Sequence, residues 1–247
     1  MNSPANKNNK FIPKQALAPT PNLYDELVGN GMERLARASL AQVPPITSGS
    51  VVHDNGCGTG AASISIIERI NGSKDEISIH ATDIEAQALE LPNDGIDAVK
   101  ETYRTLKPGG TAIFNSWAYV PNYGPLQTAS FNTRPSGIPP PRLAMEKWTS
   151  SEFLQSIVEK GGFEKEKIRV ESSDVYCEVP ELRHFANMLW SFIGGTGEAG
   201  WLESDEERWD EALRIIMEEL MKTDGYKELE GGKAMLKFVA NIVVAMK

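Results

Sequence analysis

Residues 51–60 read Val-Val-His-Asp-Asn-Gly-Cys-Gly-Thr-Gly, and no other stretch constrains the fold as tightly. Two β-branched residues run into an acid. Gly56, Gly58 and Gly60 then alternate with other residues, and Ala61-Ala62-Ser63-Ile64 opens a helical pattern. This order predicts a strand, a tight turn and a helix N-terminus. Glycines let the backbone approach a ligand closely because they carry no Cβ. The helix start points N–H groups that lack intrahelical partners at the same place.

The pattern continues as an α/β chain. Ile77 to Ile84 alternates as a second strand and ends on Asp83. Ile96 to Leu106 is an amphipathic helix that Lys107-Pro108-Gly109-Gly110 stops, and Thr111 to Trp117 is a third strand. Upstream, Asn22 to Leu40 has apolar positions spaced for one helix. Downstream, residues 118–147 read as a long loop or insert. A helix starts at Thr149-Ser150-Ser151-Glu152, and Ile168 to Val179 is a strand. Pro180 to Ile193 and Ser204 to Lys222 are helical, and the β-rich run within Ala234 to Met246 is a terminal strand. The expected layout is a flexible tail over 1–21 and one doubly wound α/β domain over 22–247. A helical cap would come from about 118–147 and 180–222.

Composition narrows the partners. A formal net charge of −9 argues against a general nucleic-acid binder. No apolar run approaches the roughly 20 residues of a membrane span. Two cysteines, Cys57 and Cys177, are too few for a disulfide scaffold. The first residues lack the apolar core of a secretory signal. A soluble cytoplasmic protein acting on a small molecule is expected, with the oligomeric state open. No carboxylate or histidine cluster has metal-ligand spacing.

A glycine turn followed, 23 residues after Gly60, by an acid at the end of the next strand describes a nucleoside or dinucleotide pocket. The carboxylate of Asp83 is placed to accept hydrogen bonds from ribose hydroxyls. Gly56, Gly58 and Ala61 formally fit the nicotinamide-cofactor fingerprint. That fingerprint sets a pyrophosphate on the helix start, where the negative charge of Asp54 is unwelcome. Asp54 suits a cationic amino-acid group instead.

Three phrases in order carry a resemblance: Asp54-Asn55-Gly56-Cys57-Gly58-Thr59-Gly60, Ala81-Thr82-Asp83-Ile84, and Tyr103-Arg104-Thr105-Leu106-Lys107-Pro108-Gly109-Gly110. They resemble the motifs of class I S-adenosylmethionine-dependent methyltransferases, and among these the fungal small-molecule enzymes, the group that includes the gliotoxin bis-thiomethyltransferase. The resemblance covers residues 22–117 by motif and the remainder by layout. It implies a Rossmann-like sheet and S-adenosylmethionine as cofactor, with S-adenosylhomocysteine as product. It also implies that Asp54, Asn55, Gly56, Cys57, Gly58 and Gly60 hold the methionine portion and Asp83 with Ile84 the ribose. Glu85 would meet the adenine, and Tyr24, in Tyr24-Asp25-Glu26-Leu27, would close over the cofactor.

The chain departs from that pattern in one place. Relatives have some 40 or more residues between the second strand and the Arg-Thr-Leu-Lys-Pro-Gly-Gly helix. Here only Glu85 to Gly95 remain. The resemblance implies that strands three and four lie in the missing part, and that strand four sits between strands one and five. Its loss would leave central backbone groups unpaired, each costing about 1–3 kcal/mol when buried. The expectation is that the natural polypeptide carries additional residues near Ile84/Glu85 and Asp94/Gly95. A true deletion with a rearranged sheet is the alternative.

Methyl transfer asks for alignment more than for side-chain chemistry. An oxygen acceptor needs a base, whereas a thiolate needs almost none. His184 is the candidate base in the C-terminal half, although a helix-packing histidine is the simpler reading. His53 and His80 lie in strands and read as structural. Trp117, Tyr119 and Tyr123 follow the third strand, at the edge where ligands bind in open α/β sheets, and are candidates for an acceptor pocket. The acidic run Glu203 to Glu211 reads as a solvated helix face. Two other functions remain open: a nicotinamide-dependent reductase, and a methyltransferase-like protein that binds without catalysis.

Overall fold

The computed structural model describes residues 11–70, 76–83 and 95–247. Ile84 and Glu85 lie outside the described residues. The chain gathers into two compact units, each built from three stretches. One holds the residues up to Gly29, Val120–Glu146 and Cys177–Lys237, and the other holds Asn30–Tyr119, Lys147–Tyr176 and Phe238–Lys247.

The second unit contains the strands that the sequence marks most clearly. Helix α2 (Gly31–Leu40) packs on α3 (Ala61–Ile70), which links β1 (Val51–Asn55) to β2 (Ser78–Thr82). β1 and β2 are parallel, with Val51 beside Ser78 and Asn55 beside Thr82. This is the strand–helix–strand unit of Rossmann-like α/β folds. The expected α/β class is the one observed.

Among the described residues the strands fall into two sheets. β1 and β2 form a two-stranded sheet, while β3 (Thr111–Tyr119), β6 (Ala234–Met246) and β4 (Ile168–Val179) form another in the order β3-β6-β4. A short strand, β5 (Lys227–Glu228), pairs antiparallel with the start of β6. β6 runs antiparallel to β3 along the length of β3, from Thr111 opposite Met246 to Tyr119 opposite Val239. No pairing of β1 with β3 occurs among the described residues.

Burial separates the two pieces. In β6, Leu236, Ala240, Ile242, Val243 and Ala245 are fully buried. Helices α4 (Ile96–Thr105) and α6 (Ser151–Lys160) cover one face, with Val99, Leu154, Ile157, Val158 and Phe163 in the shared core. The rings of Tyr103 and Phe114 meet Phe163 edge-on at 5.0 and 5.8 Å. Gly161 lets α6 close on α4, since a Cβ there would lie 2.2 Å from Val99 Cγ1. At the C-terminus Lys247 donates to the carbonyls of Tyr103 and Leu106, which neutralises the negative end of α4. In β1, by contrast, Val51, His53 and Asn55 are exposed, Val51 to 55%.

The other unit is helical at its centre. Its helices are α1 (Pro21–Val28), α5 (Tyr123–Thr133), α7 (Leu182–Ile193), α8 (Glu203–Glu207) and α9 (Trp209–Leu220). Phe185, Met188, Leu189 and Trp190 of α7 are core residues against α9. Among them sits a buried ion pair. Arg134 donates through Nε and Nη2 to Asp205 Oδ1 and Oδ2 at 2.7 and 2.9 Å, and Nη2 also donates to the Gly194 carbonyl at 2.8 Å. The guanidinium lies 5.2 Å from the Trp190 ring centre.

Three sequence expectations are corrected here. The single helix over 22–40 is two helices, because Gly29 (φ 48) and Asn30 interrupt it. The insert over 118–147 contains helix α5. Its buried stripe uses Ser130 and Thr133 beside Leu126 and Ala129, so hydrophobic periodicity does not reveal it. Thr133 is buried cheaply because its hydroxyl donates to the Ala129 carbonyl. The helix over 204–222 breaks at Arg208, and Asp205 of the acidic run is buried rather than solvated. No helix among the described residues is long and apolar enough to cross a membrane.

The ladder has a measurable consequence. Ser78 N–H donates to the Ser50 carbonyl and Gly56 N–H to the Thr82 carbonyl, so Val51, His53 and Asn55 point their backbone groups away from β2. Their amides are expected to exchange hydrogen roughly 100-fold faster than those of Ile242 and Val243, read by exchange mass spectrometry or NMR. Equal protection would mean that another strand covers that edge.

Candidate functional site

The glycine turn sits at the carboxyl ends of β1 and β2. Gly56 and Cys57 both donate to the Thr82 carbonyl, at 2.7 and 3.0 Å, which docks the turn on the end of β2. Gly58 N–H then donates to Asp83 Oδ2 at 2.6 Å. The acid and the turn, separated by 25 residues, therefore form one cup. This contact is charge-assisted and short, of the stronger kind.

All three glycines of the turn have a positive φ, which is 77 at Gly56. Gly58 has φ 49 and Gly60 has φ 88. The second lies where residues with a Cβ are strongly disfavoured. A Cβ added at Gly56, Gly58 or Gly60 would meet no atom within 4 Å, so open space lies in front of the turn.

Asp54 faces the start of α3. Its Oδ2 accepts from Ser63 N–H at 3.1 Å and from Ser63 Oγ at 2.7 Å. Ser63 is the third residue of α3, so Asp54 caps that helix from a distance in sequence. A carboxylate already neutralises the positive end of α3.

The other strand-end residues are tied together. His53 Nε2 lies 2.7 Å from Thr82 Oγ1, and Thr82 Oγ1 lies 3.5 Å from Asn55 Oδ1. His53 and His80 are register partners on neighbouring strands. Cys57 is a free, partly buried thiol. Among the described residues no group of three or more potential ligands is placed to hold a metal.

The remaining sequence candidates fall elsewhere. Trp117 belongs to the same unit as the turn and packs on Phe238 with ring centres 5.3 Å apart. Tyr119 ends β3 beside Val239. Tyr24, Tyr123 and His184 belong to the other unit. There Tyr24 meets Phe192 edge-on at 6.1 Å and is half exposed. His184 Nε2 lies 2.9 Å from Glu26 Oε1. That contact joins α7 to α1, the packing role that the sequence offers as the simpler reading. Burial pushes the Tyr123 phenol above its usual value, and the charge of Arg142 opposes the shift.

Sequence reasoning passed over Ser63 and Arg142. Ser63 carries a signal, because a serine in the first turn of a helix is a natural partner for an acid at a strand end. Arg142 carries none, because its distinction is a left-handed backbone, with φ 65.

No protein-family model matches the chain. No curated protein matches it either. Among solved structures the chain is similar to the Haemonchus contortus phosphoethanolamine N-methyltransferase 2, solved in complex with phosphomonomethylethanolamine and S-adenosylhomocysteine. The two are 15% identical with a TM-score of 0.41, and the match covers 92% of this chain and 56% of that one.

Gly58→Val tests the turn. The substitution has room but places a β-branched residue at a positive φ, a strain of about 1–2 kcal/mol. The fold is expected to survive by circular dichroism while binding of S-adenosylhomocysteine is lost in calorimetry. Retained binding would remove the turn from the site.

Proposed function

We propose that the chain is an S-adenosylmethionine-dependent methyltransferase that acts on a small metabolite with an apolar body, at oxygen, nitrogen or sulfur. The observation that carries this reading is the placement of the two acids. Asp83 closes on the glycine turn through Gly58, and Asp54 occupies the start of α3 through Ser63.

A nicotinamide dinucleotide needs that helix start for its pyrophosphate. Here the Ser63 amide is already bonded to a carboxylate, and a second anion there would meet like-charge repulsion. A nucleoside with a cationic amino-acid tail meets neither obstacle. Asp83 would hold the ribose, and the open space before Gly56, Gly58 and Gly60 would admit the methionine portion beside Asp54.

S-adenosylmethionine, when bound, supplies an electrophilic methyl group on a sulfonium. The chain's own part is to fix the nucleoside, to leave room beside the turn, and to align the acceptor, which supplies most of the acceleration in such transfers. Trp117 and Tyr119, which belong to the same unit as the glycine turn, are the proposed acceptor-pocket residues. We place the protein in the cytoplasm, acting without nucleic acid or membrane.

Asp83→Ala is expected to weaken binding of S-adenosylhomocysteine by about 1–3 kcal/mol, the scale of losing hydrogen bonds to a charged acceptor. Unchanged affinity would mean that the ribose is held elsewhere. Calorimetry with the unmodified protein separates the readings. Binding of S-adenosylhomocysteine and not NADH supports the methyltransferase, and the reverse supports a reductase. Binding of neither points to a methyltransferase-like protein without the reaction.

A further inference from the structure

The chain has three histidines, and two of them stand side by side. His53 of β1 and His80 of β2 are register partners on parallel strands. They are far apart in sequence, so no local spacing links them.

Strand geometry sets both rings on one face. Successive side chains of a strand point to opposite faces, so Val51, His53 and Asn55 share a face with Ser78, His80 and Thr82. The contacts agree with that assignment. His53 Nε2 lies 2.7 Å from Thr82 Oγ1, and the Thr82 hydroxyl donates toward Asn55 Oδ1 at 3.5 Å. Asp54, between His53 and Asn55, turns the other way and accepts from Ser63 of α3. The histidines therefore occupy the face of β1 and β2 that points away from α3, and both are exposed there.

Two imidazoles so placed can chelate one ion. Neighbouring strands lie about 4.8 Å apart. Zinc–nitrogen bonds of about 2.0–2.1 Å at a tetrahedral angle bring two ring nitrogens to about 3.3 Å from each other. Side chains on adjacent positions span that separation by choice of rotamer. Imidazole nitrogen suits Zn2+, Cu2+ and Ni2+, whereas Mg2+ and Ca2+ call for oxygen.

One ring already has its support. A ligating histidine ordinarily donates its second ring N–H to a fixed acceptor. Thr82 Oγ1 serves His53 in that way, because its own proton goes toward Asn55. Nε2 then carries the proton and Nδ1 keeps the lone pair that a metal needs. The formal net charge of −9 favours a cation. Among the described residues no group of three or more His, Cys, Asp or Glu side chains could hold a metal, so this is a two-ligand site whose other positions water completes.

We propose that His53 and His80 form a binding site for one divalent transition-metal ion, with Zn2+ as the expected occupant. The ion ties β1 to β2 on the face opposite α3, within the unit that carries the glycine turn. The site does not depend on methyl transfer.

The test uses the full chain without a histidine tag, stripped of metal by a chelator, with zinc chloride as the probe. Calorimetry is expected to show one Zn2+ per chain, and magnesium chloride is expected to give no binding. In NMR spectra of the unaltered chain the ring signals of His53 and His80 should move together along one isotherm, while those of His184 stay in place. His53→Gln and His80→Gln should each weaken Zn2+ at least about tenfold, since losing even a supporting partner of a ligand costs roughly 10- to 100-fold. Both positions are exposed, so circular dichroism should match the parent. The NMR titration needs no variant and stands even where one misfolds. Zn2+ binding that survives both histidine substitutions, separate isotherms for the two rings, or a response from His184 alone overturns the site. Zn2+ binding that is lost in Cys57→Ser and kept in both histidine variants assigns the ion to the thiol and overturns it as well.

Discussion

Buried strand backbone needs partners for its amides and carbonyls, and β6 is the strand of the larger sheet with neighbours on both sides. It lies between β3 and β4, and its interior residues are shielded from water. The pairing of β3 with β6 fixes the register from Thr111 to Tyr119 and so sets where the chain leaves the sheet. Helices α4 and α6 pack against this pair, and Lys247 ties the last residue of the chain back to the end of α4. The core of that unit follows from one well-flanked strand.

β1 shows the opposite case. Its sequence, two valines running into the glycine turn, is that of a strand meant for the middle of a sheet. Among the described residues it pairs with β2 alone, and alternate side chains face solvent. The turn is nevertheless well formed, because its supports are local to the β1–α3–β2 unit. Thr82 holds its start, Asp83 holds Gly58, and Asp54 holds the beginning of α3. Among the described residues, a short supersecondary unit thus holds the geometry of its turn through local contacts.

The two acids divide the labour of the cup. Asp54 neutralises the positive end of α3 from within the protein, which leaves that helix start poorly suited to a phosphate. Asp83 faces the glycine turn and fixes its middle residue. The selectivity proposed for the site, a cationic tail over a pyrophosphate, comes from this arrangement and from no single residue. In the helical unit, Arg134 and Arg142 make a similar contrast. One guanidinium pairs with Asp205 through Nε and Nη2, and the other belongs to a residue with a left-handed backbone.

The sequence by itself determined the α/β class, the strand–turn–helix at Val51 to Ile70, the acid at the end of β2 and the apolar terminal strand. Each of these is a local pattern whose period or spacing has one physical solution. It also marked the short path from Asp83 to Gly95 as the weak point. The α5 helix escaped it, because a buried stripe that includes Ser130 and Thr133 has no hydrophobic period. Asp205 was hidden in an acidic run, since its burial depends on Arg134, 71 residues away in the chain. The division of the described strands into two sheets, the Asp54–Ser63 contact and the left-handed backbone of Arg142 were decided only in three dimensions. They depend on which groups find partners once the chain has folded, and that pairing is a property of the tertiary structure rather than of any local pattern.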